Sequence, residues 1–386
     1  MMTGFTFSTV RKIIFGEGAI SRVGEIAAAE LGRRLLLVTD PGLVATGLVE
    51  RAMDSLSAAG IEISIFSDVA ADPPEPIVEA AIAAAQALDA EGVIGLGGGS
   101  SMDVAKLAAL LAPGKERLAD IYGIGNAKGP RLPLLLAPTT AGTGSEVTPI
   151  SIVTTGASEK KGVVSPVILP DVALLDPELT FGLPPAVTAA TGIDAMVHAI
   201  EAFASASPSN NPVSRNLARD ALRLMGPALE RAVHDGADRS ARGDMLLGAM
   251  MAGQAFANSP VAAVHALAYP IGGHYHVPHG LSNALMLPHV LRFNAATAGM
   301  AYAEIAPCAF PELEEVGRQG RAAAFAERLA QLSARCGLAQ RLRDVGIPSD
   351  ALPMLASEAM KQTRLLVNNP RPVAEADALA IYREAW

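Results

Sequence analysis

The sequence predicts an amino-terminal α/β domain built on a parallel sheet, residues 1–184, followed by an all-helical domain, residues 185–386. Three observations point there. Short apolar runs alternate with helical patterns through the first half, the signature of a parallel sheet covered on both faces. From about Pro184 the β-branched runs give way to Ala/Leu-rich segments of helical period. A chain of 386 residues also exceeds one ordinary core, and Leu183-Pro184-Pro185 reads as a short linker.

The elements follow in order. Leu35-Leu36-Leu37-Val38 reads as a buried strand ending at Thr39-Asp40-Pro41-Gly42, with a helix from about 43 to 59. A strand at 61–66 and a helix at 75–89 follow, the latter after the Asp72-Pro73-Pro74 breaker. A strand at 92–96, a helix at 101–112 and a strand at 132–137 complete the alternation. The second half is expected to hold helices at 186–204, 212–234, 240–258, 261–270, 280–292, 320–336 and 373–384. No internal repeat or low-complexity tail interrupts this plan.

Composition narrows the function classes. Apolar residues make up 50% of the chain, charged residues 18% and aromatics 4%, so Ala, Val and Leu build the core. A net charge of −9 with no basic, aromatic-interleaved window excludes nucleic acid as a partner. Cys308 and Cys336 are the only cysteines and imply no disulfide framework. The start, MMTGFTFSTVRK, lacks the pattern of a signal peptide. The uncharged run 245–291 is broken by Gln254, Asn258, Pro260, Pro270 and Pro278, so no membrane span is expected. A soluble, cytoplasmic protein is the expectation.

That run also concentrates chemistry. It holds five of the seven histidines, His265, His274, His276, His279 and His289. Asp194 and His198, four apart on the helix expected at 186–204, share one face. With His265 and His279 they offer one carboxylate and three imidazoles, a donor set for a divalent first-row metal. Core histidines and an accidental Asp-x-x-x-His pair compete with this reading, and a second motif decides toward an enzyme. Gly97-Gly98-Gly99-Ser100-Ser101-Met102-Asp103-Val104-Ala105-Lys106 follows a strand and opens a helix. Glycines let backbone approach a ligand, Ser100 or Ser101 can cap the helix, and the helix N-terminus suits a diphosphate. It is not a Gly-x-Gly-x-x-Gly fingerprint, and a plain tight turn is the alternative.

A second loop, Pro138-Thr139-Thr140-Ala141-Gly142-Thr143-Gly144-Ser145-Glu146, follows the strand at 132–137, where α/β sheets bind ligands. Asp40 at another strand end can bond ribose hydroxyls and repel a 2′-phosphate, favouring NAD over NADP, or can serve an Asp-Pro-Gly turn. Among the remaining histidines, His289 and His234 read as structural. Met250, Met251 and Met286 read as packing.

With these motifs placed, nearly the whole chain resembles the iron-containing (group III) alcohol dehydrogenase family. The resemblance rests on GGGSSMDVAK at 97–106, PTTAGTGSEVT at 138–148, ATGIDAMVHAIEAF at 190–203 and VHALAYPIGGHYHVPHGLSNALMLPHVLRFN at 264–294. It implies a dehydroquinate synthase-like fold: a nucleotide-binding α/β domain, a metal-binding helical domain, a cleft between them, and a homodimer. It implies that Asp194, His198, His265 and His279 hold the metal, Fe(II) by family name with Zn(II) as the other tenant. The implied cofactor, NAD, falls to Asp40, Gly97, Gly98, Gly99, Ser100, Ser101, Asp103, Thr139, Thr140, Thr143 and Lys161, the lysine that resembles one reaching the ribose. One departure stands out. Many relatives carry a histidine where this chain has Tyr269, and tyrosine, with a pKa of about 10, is a poor base at neutral pH. Tyr269, beside His265 and His279, is therefore a catalytic candidate as a hydrogen-bond donor. His274 and His276 also depart, and read as cleft-lining, as do Phe256 and Val367.

The resemblance implies reversible oxidation of a small alcohol to an aldehyde or ketone. The metal would polarise the substrate oxygen, and hydride would pass between the carbinol carbon and C4 of the nicotinamide. Dehydroquinate synthase-like and maleylacetate reductase-like activities are the enzymatic alternatives. Their anionic substrates call for Lys and Arg clamps that 245–291 lacks. A nucleotide-binding relative without catalysis is the third alternative, and the intact metal residues oppose it.

Overall fold

The computed structural model describes residues 4–156 and 159–386. The chain divides into two compact units, Ser8–Gly182, and Leu183–Trp386 together with the amino-terminal segment through Phe7.

The first unit is built on strands β1 (Lys12–Phe15), β2 (Arg34–Val38), β3 (Glu62–Phe66), β4 (Gly92–Gly97), β5 (Gly123–Ile124), β6 (Leu134–Pro138), β7 (Ile150–Thr155), β8 (Glu159–Val164) and β9 (Val172–Leu175). Six of them form a sheet in the order β1-β9-β6-β4-β2-β3, every pair parallel. Parallel pairing needs crossovers on both faces, so the central strands must be apolar on both sides. They are. Leu36, Val38, Val93, Leu134 and Leu136 pack on one face with Met102, Ala105 and Val104. Leu35, Leu37, Ile94, Leu96, Leu135 and Ala137 point to the other, against Val23, Val49 and Leu56. The remaining strands form a small sheet, β5-β8-β7, whose β7 and β8 are antiparallel.

Strand order places the ligand loops. From β2 the chain turns outward to β3, then returns on the other side as β4, so β2 and β4 flank the point where strand order reverses. Their carboxyl ends, with that of β6, open at that point, which is where open α/β sheets bind ligands. Register keeps the ends level: Val38 lies opposite Gly95, and Gly97 opposite Pro138.

The expected helix at 43–59 is interrupted: Pro41–Val44 and Leu48–Ala58 are separate, joined through Gly47 in the left-handed region at φ 78°. The helix expected at 101–112 begins earlier, at Gly99, with Gly98 as its N-cap and no side-chain cap. Ser100 and Ser101 therefore lie inside the first turn, which corrects the capping role expected for them. The glycines replace a cap by leaving the first N–H groups open.

The second unit is helical: Pro185–Ala204, Pro212–His234, Arg239–Asn258, Ala263–Tyr275, His279–Ala309, Arg318–Arg335, Leu352–Met360, Thr363–Leu366 and Glu375–Ala385. Asn211 and Asp238 accept from the third-residue N–H of the helices they precede, and Pro212 occupies a first-turn position. Two helices outrun the sequence expectation. Pro270 lies within Ala263–Tyr275, and Pro288 and Pro307 lie within His279–Ala309. Burial on this long helix, from Ser282 through Leu291 and on to Ala306, outweighs the single backbone bond each proline removes. Among the described residues no helix is long and apolar enough to cross a membrane.

Candidate functional site

Three helices of the second unit bring the metal candidates together. Asp194 and His198 sit mid-helix in Pro185–Ala204, one turn apart and both buried. His265 lies in the first turn of Ala263–Tyr275, and His279 opens His279–Ala309. Between those last two helices, His276 takes a left-handed conformation at φ 54° that ends one and lets Pro278 start the next. The Nε2 atoms of His265, His279 and His198 lie 3.7, 3.8 and 3.9 Å from a single oxygen, Asp194 Oδ1.

Those separations exceed a hydrogen bond. They suit a bridging cation: bonds of about 2.1 Å in a tetrahedral shell put neighbouring donors about 3.4 Å apart. Asp194, His198 and His265 present donor atoms all within 4.8 Å of one another. His265 Nε2 is buried without a hydrogen-bond partner among the described residues, a condition that an interior normally avoids. A metal ion satisfies it. The imidazoles of His198 and His265 stack with centroids 4.9 Å apart, and Phe256 covers His198 at 4.3 Å, so the rings hold one orientation.

Two residues that sequence reading missed complete the nest. Glu201 follows Asp194 at i+7 and His198 at i+3 on the same helix, and its Oε2 lies 2.7 Å from His265 Nδ1. The same carboxylate accepts from Ala262 N at 2.9 Å and Val264 N at 2.7 Å, capping the helix that carries His265. Asn283, one turn beyond His279, donates to Asp194 Oδ1 at 2.5 Å and lies 3.2 Å from His279 Nε2. The i, i+4, i+7 spacing from Asp194 and the i, i+4 spacing from His279 were the available signals. Burial pushes the Asp194 carboxyl up, but the three imidazoles and the Asn283 amide outweigh it and hold the group below the usual range.

The Tyr269 ring lies 5.7 Å from that of His279, close to the nest without being among its donors. His274 and His276 are exposed. His289 pairs with Glu384 at 3.2 Å, as befits a structural histidine.

In the first unit, the strand ends gather most of the cofactor candidates. Asp40 Oδ1 accepts from Leu43 N at 2.9 Å, and its Oδ2 accepts from Ser101 Oγ at 3.4 Å. Asp40 thus caps a short helix, as the Asp-Pro-Gly turn reading expects, and faces the glycine turn. Gly97 has φ 154°, and a Cβ there would fall 2.6 Å from Ser101 Oγ. A Cβ on Gly99 would meet Thr143 Cγ2 at 2.8 Å, while Gly98 faces Thr140 at 3.8 Å. The glycine turn and the threonine loop therefore touch, and Thr139 N donates to Gly97 O at 3.0 Å. The Asp103 carboxylate turns inward, onto Ser145 and the Ile152 N–H. Lys161 lies on β8 in the small sheet, 3.5 Å from Glu159 and facing the Tyr122 ring at 5.8 Å.

Both units match known protein families. Residues 10–177 match the description "Iron-containing alcohol dehydrogenase" and residues 188–386 match "Fe-containing alcohol dehydrogenase family, C-terminal". Long-chain-alcohol dehydrogenase 1 of Geobacillus thermodenitrificans is 40% identical over 387 residues, covering 98% of this chain and 97% of that protein. The crystal structure of a 1,3-propanediol oxidoreductase superposes with TM-score 0.95 at 36% identity, covering 100% of both chains. That of sulfoacetaldehyde reductase from Bifidobacterium kashiwanohense, in complex with NAD+, superposes with TM-score 0.88 at 30% identity, covering 100% of this chain and 99% of that one.

Proposed function

This chain belongs to the iron-containing alcohol dehydrogenase family, and on that premise we propose that it is a metal-dependent, NAD-linked alcohol dehydrogenase that also reduces the matching aldehyde or ketone. The observation that carries the proposal is the convergence of three Nε2 atoms on Asp194 Oδ1, with His265 Nε2 buried and without a hydrogen-bond partner among the described residues. Asp194, His198, His265 and His279 are the ligands in this reading. Fe(II) is the ion the family favours, and Zn(II) suits the same donors.

When bound, the ion supplies a Lewis acid for the substrate oxygen and the dinucleotide supplies a hydride acceptor at nicotinamide C4. The protein's part is orientation. His198 and His265 are stacked and Glu201 holds His265, so the donor lone pairs face one point before any ion arrives. Tyr269, near His279, presents a hydroxyl that donates a hydrogen bond to substrate or water while the alcohol proton leaves toward solvent. The open glycine turn at the strand ends accepts the diphosphate, and Thr139, Thr140 and Thr143 bound it from the other side. Asp40 takes the adenosine ribose and sets the preference for NAD. The relative solved with NAD+ supports that cofactor.

We assign the dinucleotide to the α/β unit, the metal to the helical unit, and a small, uncharged alcohol to the substrate, because 245–291 offers no cation for an anionic one. A cytoplasmic homodimer is the expected form. The test is anaerobic purification, elemental analysis, and NADH absorbance with NAD against alcohols from short to long, 1,3-propanediol included. Stoichiometric metal with NADH formation supports the reading. A metal-free protein that cannot be reconstituted removes it.

A further inference from the structure

Lys106 has no exposed surface, yet neither the metal nest nor the glycine turn uses it. It stands in the third turn of helix Gly99–Leu111, the helix that the glycine turn opens. Its ammonium donates to Ser145 Oγ at 2.7 Å, Thr148 Oγ1 at 3.3 Å and Ile150 O at 2.6 Å, which spends all three protons. One turn earlier, Asp103 Oδ1 accepts from Ser145 Oγ at 2.7 Å and lies 3.7 Å from the ammonium. Asp103 Oδ2 accepts from Ile152 N at 2.9 Å, and the Asp103 carbonyl accepts from Ser151 Oγ at 3.1 Å. Every one of these bonds runs from that helix to the segment leaving the threonine loop. Burial works against both charges, pushing Lys106 down to about 8 and Asp103 up, more than their mutual attraction offsets.

A buried ion pair is a weak way to stabilise a fold, since packed apolar residues do as well or better. What it does well is fix geometry, because its acceptors tolerate little displacement. Here the geometry at stake is the contact between Gly98–Gly99 and Thr140–Thr143.

We propose that Lys106 and Asp103 form a buried latch joining the glycine turn to the threonine loop, and that they are positioning residues for the dinucleotide diphosphate. This rests on the reading that those loops hold NAD. A diphosphate cradle must be held within about 0.5 Å, and its supporting side chains are what set that tolerance.

The test is NADH affinity, by titration calorimetry on metal-loaded enzyme well below each variant's melting temperature. The variants are Lys106→Met, Ser145→Ala, the double variant Asp103→Asn/Lys106→Met, and Gly99→Val. Ser145→Ala removes the hydroxyl shared by both charges while adding no strain, and the double variant removes both charges of the latch together, so folded protein remains testable if Lys106→Met fails to fold. The latch predicts weakening of about 10- to 100-fold in folded Ser145→Ala and in the double variant, the range seen when supporting partners are lost, with metal content unchanged. A residue that only stabilises the fold lowers the melting temperature and leaves affinity alone, so wild-type affinity in both variants overturns the latch. Gly99→Val drives a side chain into Thr143. If it binds NADH as tightly as wild type, the loops do not hold the dinucleotide, and that separate failure overturns the reading beneath.

Discussion

Glu201 Oε2 sits 2.7 Å from His265 Nδ1, and the two residues come from different helices. A carboxylate accepts and does not donate, so it selects the tautomer with the proton on Nδ1 and leaves the Nε2 lone pair toward Asp194. The same carboxylate holds Ala262 N and Val264 N, so the helix carrying His265 is anchored by the group that orients its imidazole.

Replacing Glu201 with Gln therefore leaves one oxygen, beside an NH2 that cannot accept, for three donors. Metal affinity is expected to fall about 10- to 100-fold, read by competition with a chelator, while NADH affinity holds. Wild-type metal affinity in a folded Glu201→Gln protein would remove Glu201 from the site.

His265→Ala separates the two functions of the chain. It deletes the imidazole whose Nε2 is buried and has no hydrogen-bond partner among the described residues, so turnover is expected to vanish. NADH binding, assigned to the other unit, is expected to persist. Calorimetry with NADH on the variant decides, and joint loss of both would contradict the division of labour.

Gly280 follows His279, and a Cβ there would lie 2.4 Å from the Ala190 carbonyl oxygen on the helix bearing Asp194 and His198. Gly280→Ala must push those helices apart, at a cost of about 1–3 kcal/mol, and carries His279 away from Asp194. Lower melting temperature and substoichiometric metal are expected together. Gly299→Ala, on the same long helix with its nearest neighbour 4.0 Å away, is the control: it should stabilise by up to about 1 kcal/mol and keep the metal.

Asp40 is held by Leu43 N and Ser101 Oγ, so its carboxylate is fixed at the strand end. Asp40→Ala removes the cap of a short helix and, on the proposed reading, a charge that would repel a 2′-phosphate. The ratio of kcat/KM for NADP over NAD is expected to rise at least about tenfold, with a stability loss of about 1 kcal/mol. An unchanged ratio would leave Asp40 with its capping role alone.

What the sequence made legible follows from burial. β2, β4 and β6 are covered on both faces, so their residues form continuous apolar runs that can be read directly. β1 is an edge strand with Ile13 and Phe15 exposed, and β7 and β8 carry Ser, Thr and Lys in a half-exposed hairpin, so none gave such a run. Pro270 suggested a helix end where packing carries the helix on to Tyr275. His265 and His279 stood out because imidazoles cluster in an uncharged run, and Asp194 and His198 because they are four apart on one helix. Glu201 and Asn283 did not, since a lone Glu or Asn on a helix usually reads as solvated surface. Lys106 reads the same way in sequence, and only the fold shows which face of its helix is buried.

Glu146, next to the latch, gives the pH prediction. It is 2% exposed, and burial raises its carboxyl to about 7, against smaller opposing effects of its own backbone N–H and of Lys106. The unfolded chain releases that proton near 4.5. Between those values the folded state binds a proton that the unfolded state lacks, so the contribution of Glu146 to stability is full below 4.5 and is lost as pH rises through about 7. The loss is on the order of 3 kcal/mol by linkage. Lys106, lowered to about 8 in the fold, titrates mainly above this window and with the opposite slope. Asp103, also raised, slopes the same way as Glu146, and only the difference from wild type isolates Glu146. Glu146→Gln keeps the shape and removes the charge. Its melting temperature should match wild type near pH 4.5 and exceed it above pH 7, and parallel curves across the range would show that Glu146 ionises as freely in the fold as in the unfolded chain.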